Sequence, residues 1–122
     1  MKQNDKSQEN HEVSERILES RHLSDTYFKE ENLRQRYDLP VAKHWTNILS
    51  SVDSKPVTII IGSTGCGKTT QVPQLLLQEN LCTRQEPCRI VVTQPRRIAA
   101  ISVAQTVCAE RAWKLGTICG YQ

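Results

Sequence analysis

The sequence predicts an α/β fold built on a parallel sheet, and three observations predict it. A bare β-branched run, VTIII at 57–61, breaks straight into the glycine-rich stretch GSTGCGKT at 62–69. A helical pattern, KTTQVPQLLLQEN, follows at once. A second apolar run, RIVVTQ at 89–94, then leads into another helical pattern from Pro95. Strand, helix, strand, helix in that order implies parallel strands joined by right-handed crossovers.

The elements can be justified in chain order. Residues 1–23 are polar and charged, with Val13, Ile17 and Leu18 among the few apolar positions. Such a leader buries too little surface to offset chain entropy, so disorder is expected, with a short helix at 14–19 left open. Residues 24–55 read as a helical lead-in. Ser24 or Asp25 suits an N-cap, and Tyr27, Phe28, Leu33 and Tyr37 form a loose helical stripe. Asp38-Leu39-Pro40 ends it, because the residue before proline avoids the α region. VAKHWTNILSSV then places Val41, Trp45, Ile48 and Leu49 on one face of an amphipathic helix.

Every position of 57–61 is apolar or Thr, which fits a strand buried on both faces. Residues 68–80 predict a helix, 81–88 a polar connector, and 89–94 a second buried strand. Residues 95–115 predict a helix with Pro95 in its first turn and Ile98, Ile101, Val103, Val107 and Trp113 turned inward. GTICGYQ begins something new. Two parallel strands do not make a stable sheet, so 56–122 is expected to be the truncated N-terminal part of a larger domain.

Composition narrows the class. Among its 122 residues the chain has a net charge of +3, and the excess is uneven. Residues 1–55 carry nine basic against ten acidic side chains, and 56–122 carry seven against three. A basic second half favours an anionic partner, although a solvated face has the same composition. The five cysteines (66, 82, 88, 108 and 119) form no Cys-x-x-Cys pair, and all three histidines lie in the first half. That disfavours a metal site. The N-terminal MKQNDKSQENHEVSER has no apolar core of the kind a signal peptide needs. No apolar run approaches the roughly 20 residues of a membrane span. The expectation is a soluble, cytoplasmic protein with reduced thiols and no membrane partner.

GSTGCGKT matches G-x-x-x-x-G-K-[ST] in full at Gly62, Gly67, Lys68 and Thr69, between a strand and a helix as that motif requires. Glycines let successive N–H groups turn inward toward phosphate oxygens, and the helix N-terminus adds partial positive charge. Lys68 brings an ammonium to the β- and γ-phosphates. Thr69 offers a hydroxyl to Mg²⁺. Cys66, near the helix N-terminus, reads either as a small residue filling a tight turn or as a redox-sensitive thiol. Pro73 costs a helical hydrogen bond unless it falls within the first turn.

The second strand ends in TQPRRIAAISVA, 93–104. Thr93, Arg96 and Arg97 therefore stand at a strand end and helix start, where open parallel sheets place ligands. Guanidinium groups there can fork onto phosphate oxygens, or they can simply be solvated first-turn residues.

GSTGCGKTTQVPQ followed about two dozen residues later by TQPRRIAA resembles motifs I and Ia of the DEAH-box RNA helicases of superfamily 2. AERAWKLGTICGYQ resembles that family's next segment, and RQRYDLPV its lead-in. The resemblance implies a RecA-like core, hydrolysis of ATP with Mg²⁺, and 3′-to-5′ movement on RNA. Carried over, Gly62, Ser63, Thr64, Gly65, Cys66, Gly67, Lys68, Thr69 and Thr70 line the ATP phosphates. Lys68 and Thr69 serve catalysis, Thr69 as the Mg²⁺ ligand. Thr93, Arg96 and Arg97 meet the RNA backbone.

VVTQPRRIAA with ERAWKLGTICGYQ is similar, more narrowly, to the spindle-E type of tudor-domain DEAH helicase. That likeness implies piRNA-mediated transposon silencing and meiosis, in cytoplasmic germline granules with their proteins as partners. Trp113, one of the marks of this likeness, is equally a candidate core aromatic. The chain has no Asp-Glu-Ala-His box, so it is expected to bind nucleotide weakly and not to hydrolyse it. The alternatives are another DEAH-box helicase of RNA processing and a non-catalytic nucleotide- or RNA-binding module.

Overall fold

The computed structural model describes residues 39–122. The expectations for the leader at 1–23 and for the helical stripe from Tyr27 to Tyr37 lie outside the described residues.

Pro40 opens a 3₁₀ helix, Pro40–His44, at a position where its missing N–H costs nothing. It runs directly into α1, Trp45–Ser54. The single helix expected at 41–52 is thus a tight turn followed by an α-helix. Val41 and Ile48 are buried, and Trp45 and Leu49 pack beside them, which is the face expected from their spacing. The Ser54 hydroxyl donates to the Ser50 carbonyl at 2.7 Å, and Lys55 then leaves in an extended conformation before Pro56.

The next helix, α2, spans Lys68–Gln78 and stands between two apolar clusters. On one side Leu75 and Val72 pack with Val41, Ile48 and Ile60. On the other, Leu77 packs with Val107, Cys108 and Trp113. Helix α2 does not stop where the sequence pattern does. It passes into a π-helical segment, Glu79–Arg84, that takes in half of the expected polar connector. Leu81, only 5% exposed, holds that segment down. Arg84 within it pairs with Asp53 of α1, and this bond keeps the Asp53 carboxyl below the usual carboxylate range.

Helix α3 spans Arg97–Arg111, shorter at both ends than 95–115. Pro95 stands before the helix, and Arg96 caps it in an extended conformation. The stop is explicit in the backbone. Ala112 is left-handed at φ 54, its N–H donates to the Ala109 carbonyl at 3.3 Å, and the Trp113 N–H donates to the Cys108 carbonyl at 2.9 Å. These two bonds are a Schellman closure, with the apolar contact between Trp113 and Cys108 that accompanies it. Trp113 is 6% exposed and is a core residue. Val107 is also buried, and Ile101 and Val103 are half-buried. Ile98 departs from expectation: it is 81% exposed, because the first turn of α3 has no described element beside it. The thiols of Cys108 and Cys119 donate to the Cys119 and Ala104 carbonyls, respectively. Burial, together with Cys108, pushes the Cys119 thiol up to about 11.

No strand occurs among the described residues. Runs 57–61 and 89–94 carry no ladder, yet exposure alternates along both. Val57, Ile59 and Ile61 are 73%, 82% and 92% exposed, while Thr58 and Ile60 turn toward the helices. Val91 is 86% exposed between Ile90 at 37% and Val92 at 41%. The two-residue period belongs to a strand. Parallel strands, however, are held only in a sheet covered on both faces, and the described residues cover one. No described helix is long and apolar enough to cross a membrane.

Ala112 occupies a left-handed position that costs a residue with a Cβ about 1 kcal/mol. Ala112→Gly is therefore expected to stabilise the fold by roughly that amount, read as a rise in the chemical-denaturation midpoint. Ile98→Ala, at an exposed site, is expected to change it by less than about 0.5 kcal/mol.

Candidate nucleotide-binding site

The glycine-rich stretch turns the chain from the first apolar run into α2. The Cys66 N–H donates to the Ser63 carbonyl at 3.4 Å, closing a turn. The Cys66 carbonyl accepts the Val41 N–H at 3.2 Å, tying the loop to the 3₁₀ helix. Gly67 is left-handed at φ 96 and precedes the first helical residue. A Cβ there would lie 3.0 Å from both the Gln71 Cγ and the Val41 Cγ1, and 3.1 Å from the Leu39 Cδ1. Gly62 has the second close approach, since a Cβ would lie 2.9 Å from the Cys66 Sγ. Both glycines face close side chains, and Gly67 is favoured by its backbone as well.

Helix α2 has no side-chain cap, so its first N–H groups are left to an outside acceptor. Lys68 folds back over the loop. Its Nζ donates to the Gly62 and Ser63 carbonyls at 2.7 and 2.9 Å and contacts the Cys66 Sγ at 3.3 Å. Thr69 is exposed at the second helical position. Ser63, Thr64 and Gly65 form the exposed rim, and Cys66, 8% exposed, fills the inside of the turn. The small-residue reading of Cys66 fits that place. Thr70 faces inward, and its hydroxyl accepts the Gln71 amide N–H at 3.2 Å.

A shallow open cleft of about 310 Å³ lies beside the loop, lined by Ile60, Lys68, Thr69, Val72, Pro73, Val92 and Gln94. It joins the ends of both apolar runs to the start of α2, where an α/β fold places its ligand. Pro73 lies past the first turn of α2 and removes the N–H that would bond the Thr69 carbonyl. Thr93, Arg96 and Arg97 are exposed beyond its lining. The structure thus groups Lys68 and Thr69 with Gln94 and leaves the arginine pair at the head of α3.

Gln94 is not marked out by the sequence, and its only signal is its place between Thr93 and Pro95. The same holds for a buried polar cluster under the loop. Gln71, Gln74 and Arg111 are 1%, 2% and 3% exposed. The Glu110 Oε2 accepts the Gln71 and Gln74 amide N–H groups at 2.9 and 2.7 Å. Arg111 donates to the Gln74 Oε1 at 2.5 Å and the Gln78 Oε1 at 3.2 Å, with its guanidinium 5.7 Å from the Trp113 ring centre. The Gln71 Oε1 is buried without a partner among the described residues. Gln at three- and four-residue steps along α2, with the Glu-Arg pair of α3, is the signal the sequence offers for it.

A left-handed glycine, an uncapped helix start and a lysine drawn onto the loop thus come together at the head of α2. No protein-family model matches the chain. Several curated proteins do, each named "Probable ATP-dependent RNA helicase spindle-E". The Drosophila pseudoobscura pseudoobscura protein is 47% identical over 95% of this chain and 8% of its own length. The Drosophila virilis protein is 54% identical over 75% of this chain and 6% of its own. The Drosophila melanogaster protein is 49% identical over 80% of this chain and 7% of its own. Along that length the chain is similar in sequence to the spindle-E proteins, and it spans less than a tenth of the relatives it matches.

Gly67→Ala adds a Cβ in a crowded left-handed position and is expected to destabilise the protein by about 1–3 kcal/mol by chemical denaturation. An unchanged midpoint would mean that the loop backbone does not need Gly67.

Proposed function

We propose that this chain is the nucleotide-binding stretch of a DEAH-box ATP-dependent RNA helicase and the start of its RecA-like domain. The observation that carries the reading is the Lys68 ammonium held over a glycine loop at the head of α2. The spindle-E names of its relatives support it. The same likeness supports a role in piRNA-mediated silencing of transposons in the cytoplasm of germ cells.

The residues present fit ATP with Mg²⁺. The α2 amides and the loop from Gly62 to Gly67 would hold phosphate oxygens, and the Thr69 hydroxyl faces solvent where it can ligate the ion. When bound, the ion supplies charge neutralisation between the phosphates. Lys68 holds negative charge at the β- and γ-phosphate oxygens, exchanging two carbonyl dipoles for full anions. Cys66 keeps the turn closed from inside. The exposed Thr93, Arg96 and Arg97 take the RNA backbone as sequence-independent, salt-sensitive contacts. The 122 residues hold no Asp-Glu-Ala-His box, so turnover belongs to the longer protein.

In the full-length protein, Lys68→Ala should lower RNA-stimulated ATP hydrolysis at least about a hundredfold. A rate within threefold of the unmodified protein would overturn the proposal. Replacing Arg96 and Arg97 by Ala should weaken binding to all RNA sequences alike. It should also reduce the salt slope of log K by about 1.4, at ~0.7 for each single-strand phosphate that an arginine no longer neutralises. An unchanged slope would remove both from the interface.

A further inference from the structure

We infer that Glu110 couples nucleotide and RNA binding as a positioning residue, acting through Gln71 on the loop at the head of α2. The inference rests on the functional reading just given.

Helix α3 is unbroken from Arg97 to Arg111, a span of about 22 Å at the usual helical rise. The proposed RNA contacts open it. Its far end touches α2 one turn from the proposed phosphate site. There, one oxygen of Glu110 accepts amide N–H groups from Gln71 and Gln74, both nearly fully buried. Gln71 in turn sits against the loop. Its backbone N–H donates to the Gly67 carbonyl at 2.8 Å, and its Cγ occupies the space that a Gly67 side chain would need. The path from helix to loop is therefore Glu110, Gln71, Gly67.

Two features make this a sensitive contact rather than passive packing. Apolar surfaces can slide past one another, whereas a carboxylate shared by two amides holds one register. The Gln71 amide also has two orientations of unequal merit. With its N–H toward Glu110, its oxygen is buried without a partner among the described residues. The flipped orientation would set that oxygen against a carboxylate. The Thr70 hydroxyl, which accepts from the same amide, can turn and donate instead, so Glu110 is what selects the first orientation, and only while it stays in place. A small displacement of α3 removes that selection and frees Gln71 to turn beneath Gly67. The amide is a two-position element that both ends of α3 can bias.

The test is the dissociation constant of a fluorescent ATP analogue for the full-length protein, with and without a mixed-sequence single-stranded RNA. The unmodified protein is expected to show a ratio of at least about fivefold. Glu110→Ala should bring that ratio to within about twofold of unity, with each ligand alone binding within about threefold of normal. Glu110→Gln keeps an acceptor oxygen and should restore most of the ratio. Gln71→Met keeps volume without the amide and should lose the ratio; it replaces Glu110→Ala if that variant fails to fold by thermal melting. An unchanged ratio in both Glu110→Ala and Gln71→Met overturns the inference. So does an equal loss of affinity with and without RNA, which marks a structural prop. An unmodified protein that binds both ligands with a ratio of one overturns the coupling and leaves the proposed function standing. Binding of neither ligand overturns both.

Discussion

The rest of the structure depends on the left-handed backbone at Gly67. At φ 96 the chain reverses from the loop into α2 within one residue. The absence of a side chain there lets Leu39, Val41 and Gln71 converge on one point. Three separate parts of the chain are thereby anchored to the loop: the 3₁₀ helix through the Val41 N–H, α2 through the Gln71 N–H, and α3 through Gln71 and Glu110. An added side chain would press on Leu39, Val41 and Gln71 together. The loop is therefore set by the packing behind it, and its open side keeps only what a ligand would meet.

Helix α2 has to satisfy two demands. Its Val72, Leu75 and Leu77 pack into apolar clusters on opposite sides, while the polar Gln71 and Gln74 are more deeply buried than any of them. Buried amides stabilise little by themselves and are costly when unpaired, about 1–3 kcal/mol for an orphaned group. The Gln71 oxygen is such a group among the described residues. An apolar residue would pack at less cost, so the polar cluster secures register between α2 and α3 rather than stability.

Much of this is legible in the sequence, and the exceptions have physical reasons. Val41, Ile48 and Val107 announce themselves by helical spacing, and the loop by its glycines and Lys68. The end of α3 is not readable, because Ala112 has no intrinsic preference for the left-handed state and the Schellman bonds impose it. The π-helical continuation through Arg84 is hidden in a polar stretch, where Leu81 alone supplies the burial. Ile98 misleads because periodicity shows that a face is apolar without showing what covers it. The pairing of Glu110 with two glutamines more than thirty residues away is not readable either, because the glutamine spacing and the Glu-Arg pair mark polar positions without showing that they meet.

The Lys68 contacts explain how such a loop can be organised in advance. Carbonyls of Gly62 and Ser63 both point at one ammonium, an arrangement that would otherwise set two dipoles against each other. The lysine thus stabilises the curvature of the loop. A phosphate oxygen carries more charge than a carbonyl and makes the stronger bond to the ammonium. The side chain can move outward while the Cys66 and Gly67 carbonyls, held by Val41 and Gln71, keep the backbone bent. Organisation of the loop and recognition of an anion then draw on the same side chain in succession. The cost of shaping the loop is met before any anion arrives, which is what preorganised electrostatics at the proposed nucleotide site would require.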